Sequence, residues 1–163
     1  DPHEIMDVLE SNEEMLLKGE ESFAQFFRRV KGKLPSMKLS DFKQAYLDAV
    51  TWNKSMLSYM KKLSRRFDVY VLSNNYDILM PLLKKELAGV AKGLIFSNEI
   101  HKTKPHTTIF EHLLHVYKLR PENCIYIDDS HENILAAERN KFNVVEYMNL
   151  RNLKQRIDEM IVQ

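Results

Sequence analysis

From Phe67 onward the chain alternates between two kinds of segment. The runs "FDVYVLS", "GLIFS", "CIYID" and "NVVEY" are short, apolar and rich in β-branched residues, as strands are. Between them, "YDILMPLLKKEL", "HTTIFEHLLHVYKL" and "HENILAAERN" have helical spacing, and Leu150, Leu153, Ile157 and Met160 mark a closing helix. Pro81 fits its helix only near the start or at a kink. A continuous apolar run predicts a strand covered on both faces. The alternation therefore predicts an α/β fold, a parallel sheet with helices on both faces.

Residues 1 to 66 have a different character. Met6, Leu9, Met15, Phe23, Phe26, Phe27 and Val30 fall at intervals of a helix face, until Gly32, Pro35 and Ser36 interrupt them. Ser40-Asp41 offers a cap for a helix through Phe42, Ala45, Tyr46, Ala49 and Val50. Met56, Leu57, Tyr59, Met60 and Leu63 mark another. Phe23, Phe26 and Phe27 are expected to form a core rather than a substrate platform.

The 24 basic and 23 acidic residues among 163 give a formal net charge of +1, so no large positive field is present to attract nucleic acid. The single cysteine, Cys124, precludes an intrachain disulfide, and its place in an apolar run predicts a buried thiol rather than a nucleophile. One cysteine fits a reducing, cytoplasmic setting. No apolar stretch is long enough to span a bilayer, and no signal peptide is visible, although the chain begins at Asp1-Pro2 rather than Met. Only 4 glycines occur, none in a Gly-rich turn after a strand, which argues against dinucleotide binding.

Chemistry collects where the strands end, because open parallel sheets bind ligands at the carboxyl ends of their strands. The first ends in Ser73-Asn74-Asn75. The second leads into "SNEIHKTKPH", with Lys102 and Lys104. The third ends in Asp128-Asp129-Ser130. Adjacent carboxylates at the tip of a hydrophobic strand repel each other and invite a positive partner. Two acids with water make a hard, oxygen-rich magnesium site. A serine hydroxyl with backbone N–H groups can hold phosphate oxygens, and a lysine can offset charge built up in phosphoryl transfer. The set suits a phosphate beside Mg2+.

On these residues the sequence resembles the haloacid dehalogenase-like hydrolases, most of which are Mg2+-dependent phosphatases. "VYVLSNN" is similar to the family's second motif, "HKTKPHTTIF" to its third, and "CIYIDDSHENILAA" to its fourth. The resemblance covers roughly residues 9 to 150 and implies a Rossmann-like core at residues 56–163, with residues 1–55 as a small all-helical cap. That cap resembles the one in a subgroup containing sugar-phosphate phosphatases and the amino-terminal domain of some epoxide hydrolases. It also implies roles. Asp129 would bind the metal directly, while Asp128 would hold a water of the ion or complete its site. Ser73 and the backbone of Asn74 would bind the phosphoryl group of a small phosphorylated metabolite, Lys104 would neutralise it, and Asn133 would orient the acidic loop.

The family's first motif, a strand ending in Asp-x-Asp that carries the nucleophile, has no counterpart here. "DPHEIMDV" cannot replace it, since neither Asp1 nor Asp7 follows an apolar strand. His106 stands where Asp usually follows Lys-Pro, and Lys141 where Gly often follows the fourth-motif helix, with Asn140 able to supply a left-handed helix end. The expectation is a phosphomonoester hydrolase fragment, inactive as given, whose incomplete sheet has open edges that favour self-association.

Plainer readings compete. Most Asp-Asp pairs are solvated turns, Ser73-Asn74 alone is turn chemistry, and Lys104 alone is a surface lysine. His112 and His115 have no third metal ligand at suitable spacing. A non-catalytic interaction module on the same fold is the alternative function. A phosphoacceptor receiver domain would need the acid pair at its first strand, whereas the order here is Ser73, Lys104, Asp128-Asp129.

Overall fold

The computed structural model describes residues 7–10 and 12–161, so Asp1 and Met6 lie outside the described residues. Packing divides the chain into two compact units, Asp1–His101 and Lys102–Gln163.

The first unit begins with helices: residues 7–10, α1 (Glu14–Leu17), α2 (Phe23–Val30), α3 (Leu39–Ala49) and α4 (Lys54–Leu63). At the head of α2, Ser22 is extended and its hydroxyl accepts from the Gln25 N–H, while the Gln25 side chain accepts from the Ser22 N–H at 2.7 Å. This reciprocal arrangement satisfies two donors that a helix start leaves over. One face of α2 buries Phe23, Phe26, Phe27 and Val30, and α3 adds Phe42 and Tyr46. The rings of Phe23 and Phe27 lie 5.0 and 5.1 Å from that of Phe42, centroid to centroid. Each aromatic removed from water stabilises the unit by roughly 1.5–3 kcal/mol, so the three phenylalanines are core. Ser40 does not cap α3. The helix starts at Leu39 behind Lys38 with no side-chain cap, and the Ser40 hydroxyl instead donates to the Asp41 carboxylate at 3.0 Å.

Between α1 and α2, Gly19 has φ +67, and a Cβ there would lie 2.0 Å from the Asn98 carbonyl oxygen. Only glycine fits so close an approach in that conformation. After α4 the chain enters β1 (Tyr70–Ser73), then α5 (Met80–Glu86), β2 (Gly93–Phe96) and the short α6 (Ser97–Ile100). Pro81 falls in the first turn of α5, where its missing N–H breaks no helical bond. β1 and β2 pair in parallel, from Tyr70 opposite Gly93 to Ser73 opposite Phe96.

The second unit holds α7 (Thr107–Tyr117), β3 (Ile125–Asp128), α8 (His131–Arg139), β4 (Asn143–Glu146) and α9 (Leu150–Ile161). β3 and β4 are parallel, with Asp128 opposite Glu146. Phe110, Tyr126 and Phe142 meet edge to face, the closest centroids 5.2 Å apart. Ala136 and Ala137 are fully buried, small enough for α8 to lie against β3 and β4. Asn140 is not the left-handed residue after α8: it has φ −90, and Lys141 takes φ +66.

Among the described residues the strands are thus parallel and interleaved with helices, in two sheets of two. Burial on both faces is expected of the first strand and does not hold there, whereas β2 is largely buried. β1 is half-buried throughout, β3 is buried only at Tyr126, and β4 only at Val145. Among the described residues no helix is long and apolar enough to cross a membrane.

Candidate active site

In the second unit, the end of β3 aims Asp128 into a cluster of donors. Lys104 Nζ and the Tyr126 hydroxyl both donate to Asp128 Oδ2, each at 2.6 Å. The Ser130 N–H and Asn133 Nδ2 both donate to Oδ1, each at 3.0 Å. Tyr126 and Asp128 sit two apart on a strand and so share a face. Ser130 caps α8 with its hydroxyl, which places Asn133 in the first turn, directed at the carboxylate. The Lys104 and Asp128 side chains are 12% and 9% exposed, which makes this a desolvated pair. Burial opposes the charge on Asp128, but the Lys104 ammonium and the bonds from Lys104, Tyr126 and Asn133 prevail and hold its carboxyl at about 2. Burial, then the bond to Asp128, pushes the Tyr126 hydroxyl well above the ordinary tyrosine range, so it stays a donor. Lys104 therefore supplies a positive partner for the first acid of the doublet.

Asp129, one residue on, is exposed. The doublet offers hard carboxylate oxygens, one oriented by four hydrogen bonds and the other facing solvent. Among the described residues, no three of His, Cys, Asp and Glu gather closely enough to hold a metal ion, His112 and His115 included. That donor set does not suit zinc, and it does suit magnesium, which takes one or two carboxylates and keeps several waters.

Ser73 and Asn74 belong to the first unit. Ser73 ends β1, and its hydroxyl donates to the Asn74 carbonyl at 3.3 Å. Asn75 is buried; its N–H donates to the Ser97 hydroxyl at 3.0 Å, and its Oδ1 accepts from the Tyr76 N–H at 2.8 Å. This strand end opens onto a cleft of about 420 Å³ within the unit, lined also by Glu13, Tyr46 and Tyr76. The Tyr76 hydroxyl donates to Glu13 Oε2, and the rings of Tyr46 and Tyr76 lie 5.6 Å apart. Burial, with the Glu13 charge nearby, raises both tyrosine hydroxyls far above their ordinary range.

The structure thus joins Lys104 to Asp128 and adds Tyr126, which was not picked out from sequence. Its signal was present in "IYID", where a tyrosine two before the acid shares its face. Glu13, Tyr46 and Tyr76 were also missed as site residues. Cys124 lies just before β3 and is half-buried, short of the full burial expected. Burial raises its thiol, which donates to the Arg120 carbonyl at 3.2 Å.

The family model of the haloacid dehalogenase-like hydrolases matches residues 5–140. The chain belongs to that family of hydrolases. No curated protein matches it. Solved structures similar to it include a predicted HAD-like family hydrolase from Porphyromonas gingivalis, 19% identical, with a TM-score of 0.80 over 100% of this chain and 91% of that one. The wild-type HAD family enzyme BT-2542 from Bacteroides thetaiotaomicron, in complex with magnesium and inorganic phosphate, is 19% identical, with a TM-score of 0.78 over 93% of this chain and 88% of that one. A magnesium complex of the same enzyme is 22% identical, with a TM-score of 0.75 over 82% and 72% of the two chains. At such identities the likeness is one of fold.

Proposed function

We propose that the chain is the greater part of a Mg2+-dependent phosphomonoester hydrolase that acts on a small phosphorylated metabolite. The observation that carries this is the Asp128 cluster: a carboxylate at a strand end, kept ionised by Lys104 and fixed by Tyr126, Ser130 and Asn133, next to the exposed Asp129. The magnesium and phosphate bound by BT-2542 support the same chemistry. In this reading Asp128 and Asp129 hold Mg2+, which when bound would offset phosphate charge. Ser73 and the Asn74 backbone bind the phosphoryl oxygens. Lys104 keeps Asp128 charged and presents its ammonium to the phosphoryl group. Residues 1–55 act as the cap and residues 56–163 as the catalytic core, a division of roles that differs from the packing division at His101.

The reaction in this reading passes through an aspartyl-phosphate: a carboxylate oxygen attacks phosphorus, the alcohol leaves, and water then releases phosphate. The described strands end at Ser73, Phe96, Asp128 and Glu146, and none presents an Asp-x-Asp pair. In this reading the attacking aspartate comes from outside these residues, and the chain by itself should not turn over. That the strands pair only two by two among the described residues supports that assignment, and association of copies is part of the same reading.

Titration of the chain with MgCl2 in the presence of inorganic phosphate, followed by NMR, tests the reading. Shifts at Asp128 and Asp129 that vanish in Asp129→Asn support it. Indifference to magnesium and phosphate would favour the non-catalytic interaction module. Phosphatase turnover by these 163 residues, abolished by Asp129→Asn, would refute the absence of the nucleophile.

A further inference from the structure

The cleft at the end of β1 has a sign. Besides Ser73, Asn74 and Asn75, its lining comprises Glu13, Tyr46 and Tyr76 with three leucines, and no lysine, arginine or histidine among them. Among the described residues of the lining, Glu13 alone is charged. The Tyr76 hydroxyl fixes that carboxylate by donating to Oε2, and the Tyr46 and Tyr76 rings, 5.6 Å apart, form an aromatic wall. Leu17, Leu79 and Leu83 supply the apolar remainder. A few convergent polar groups on an apolar and aromatic lining are the usual make-up of a small-molecule site.

We propose that Glu13 is the specificity-determining residue of this cleft, selecting leaving groups that carry a hydrogen-bond donor, an ammonium or a hydroxyl, and rejecting those with a second anion. The inference rests on the phosphatase reading, which puts the phosphoryl group at Ser73 and Asn74. A carboxylate in a partly desolvated wall accepts from a donor with the strength of a charge-assisted bond. It repels a second carboxylate or phosphate, and no basic side chain among the described lining residues offsets that repulsion. The tyrosine rings add a face for the carbon skeleton, or for the ammonium itself. Since burial and the Glu13 charge keep both tyrosines protonated, the cleft gains no further negative charge at any working pH.

The test is binding by the full chain, with MgCl2 present, of four monophosphate esters of matched length ending in ammonium, hydroxyl, methyl or carboxylate. NMR shifts at Ser73 and Asn74 report the phosphate, and those at Glu13, Tyr46 and Tyr76 report the leaving group. Donor-ended esters should bind about tenfold tighter than the methyl ester, the carboxylate ester should bind most weakly, and Glu13→Gln should narrow the ammonium-to-carboxylate ratio by about tenfold. The amide introduced by Glu13→Gln can still accept from Tyr76, and an unchanged melting temperature confirms that the fold is kept. Equal affinities across the panel, with shifts at Ser73 and Asn74, would overturn the Glu13 inference and leave the phosphatase reading standing. If no ester and no inorganic phosphate shifts Ser73 or Asn74, both fall.

Discussion

Lys104 and Asp128 form a salt bridge of 2.6 Å with little exposure on either side, although 24 positions separate them in sequence. Loss of one member of such a pair leaves a desolvated charge with no opposite partner, and removals of this kind cost about 3–5 kcal/mol. Asp128→Asn should destabilise the second unit by about 3 kcal/mol in urea unfolding. An effect under about 1 kcal/mol would mean that the pair is hydrated in solution.

The same pair makes stability depend on acid. The Asp128 carboxyl lies at about 2 in the folded chain, below its ordinary 3.8. The folded state therefore favours the ionised form, and the contribution is fully present above pH 4. It fades as pH falls from about 4 to 2, amounting to about 2 kcal/mol in all. A pH series of melting temperatures should show this decline in the wild type and a flatter one in Asp128→Asn.

Asp129 should behave in the opposite way to its neighbour. It is exposed, so Asp129→Asn should change stability by less than about 0.5 kcal/mol while abolishing the response to magnesium. Comparable destabilisation by both substitutions would contradict the division of labour assigned to the doublet.

Gly19→Ala should be severe. The new Cβ would lie 2.0 Å from the Asn98 carbonyl oxygen in a backbone conformation of φ +67. Left-handed strain and overpacking together should cost about 2–5 kcal/mol in unfolding free energy.

Lys141→Gly should stabilise. Lys141 has φ +66 at the end of α8, where a side chain is strained by about 1 kcal/mol. Relief of that strain should raise the melting temperature by a few degrees, less whatever glycine adds to the freedom of the unfolded chain.

Local chemistry was legible in the sequence where neighbours in the chain are neighbours in space. "CIYID" announced its strand and its acid, and Asn133 follows Asp128 closely enough that its bond to the carboxylate could be anticipated. Pairings between distant positions left no local trace. Nothing near Glu13 tells that Tyr76, 63 positions away, will donate to it, and nothing near Gly19 announces Asn98. The start of α3 was misjudged because the helix begins at Leu39, behind Lys38, which puts Ser40 inside the first turn and not at the cap position. The left-handed position after α8 was assigned to Asn140 on residue preference, but the turn geometry puts it one residue later, at Lys141. The burial of "FDVYVLS" was overestimated because an apolar run records what a strand can bury and not what comes to cover it, and β1 is only half-buried.

Ser130 serves two structures at once: its hydroxyl caps α8, and its N–H steadies Asp128. The beginning of that helix and the aim of the carboxylate are thus a single mechanical joint. Fraying of the first turn, or a cross-link that tugs on it, would swing the acid off its bearing with no acidic residue altered. Anyone grafting this segment onto another scaffold would have to carry both sides of the joint.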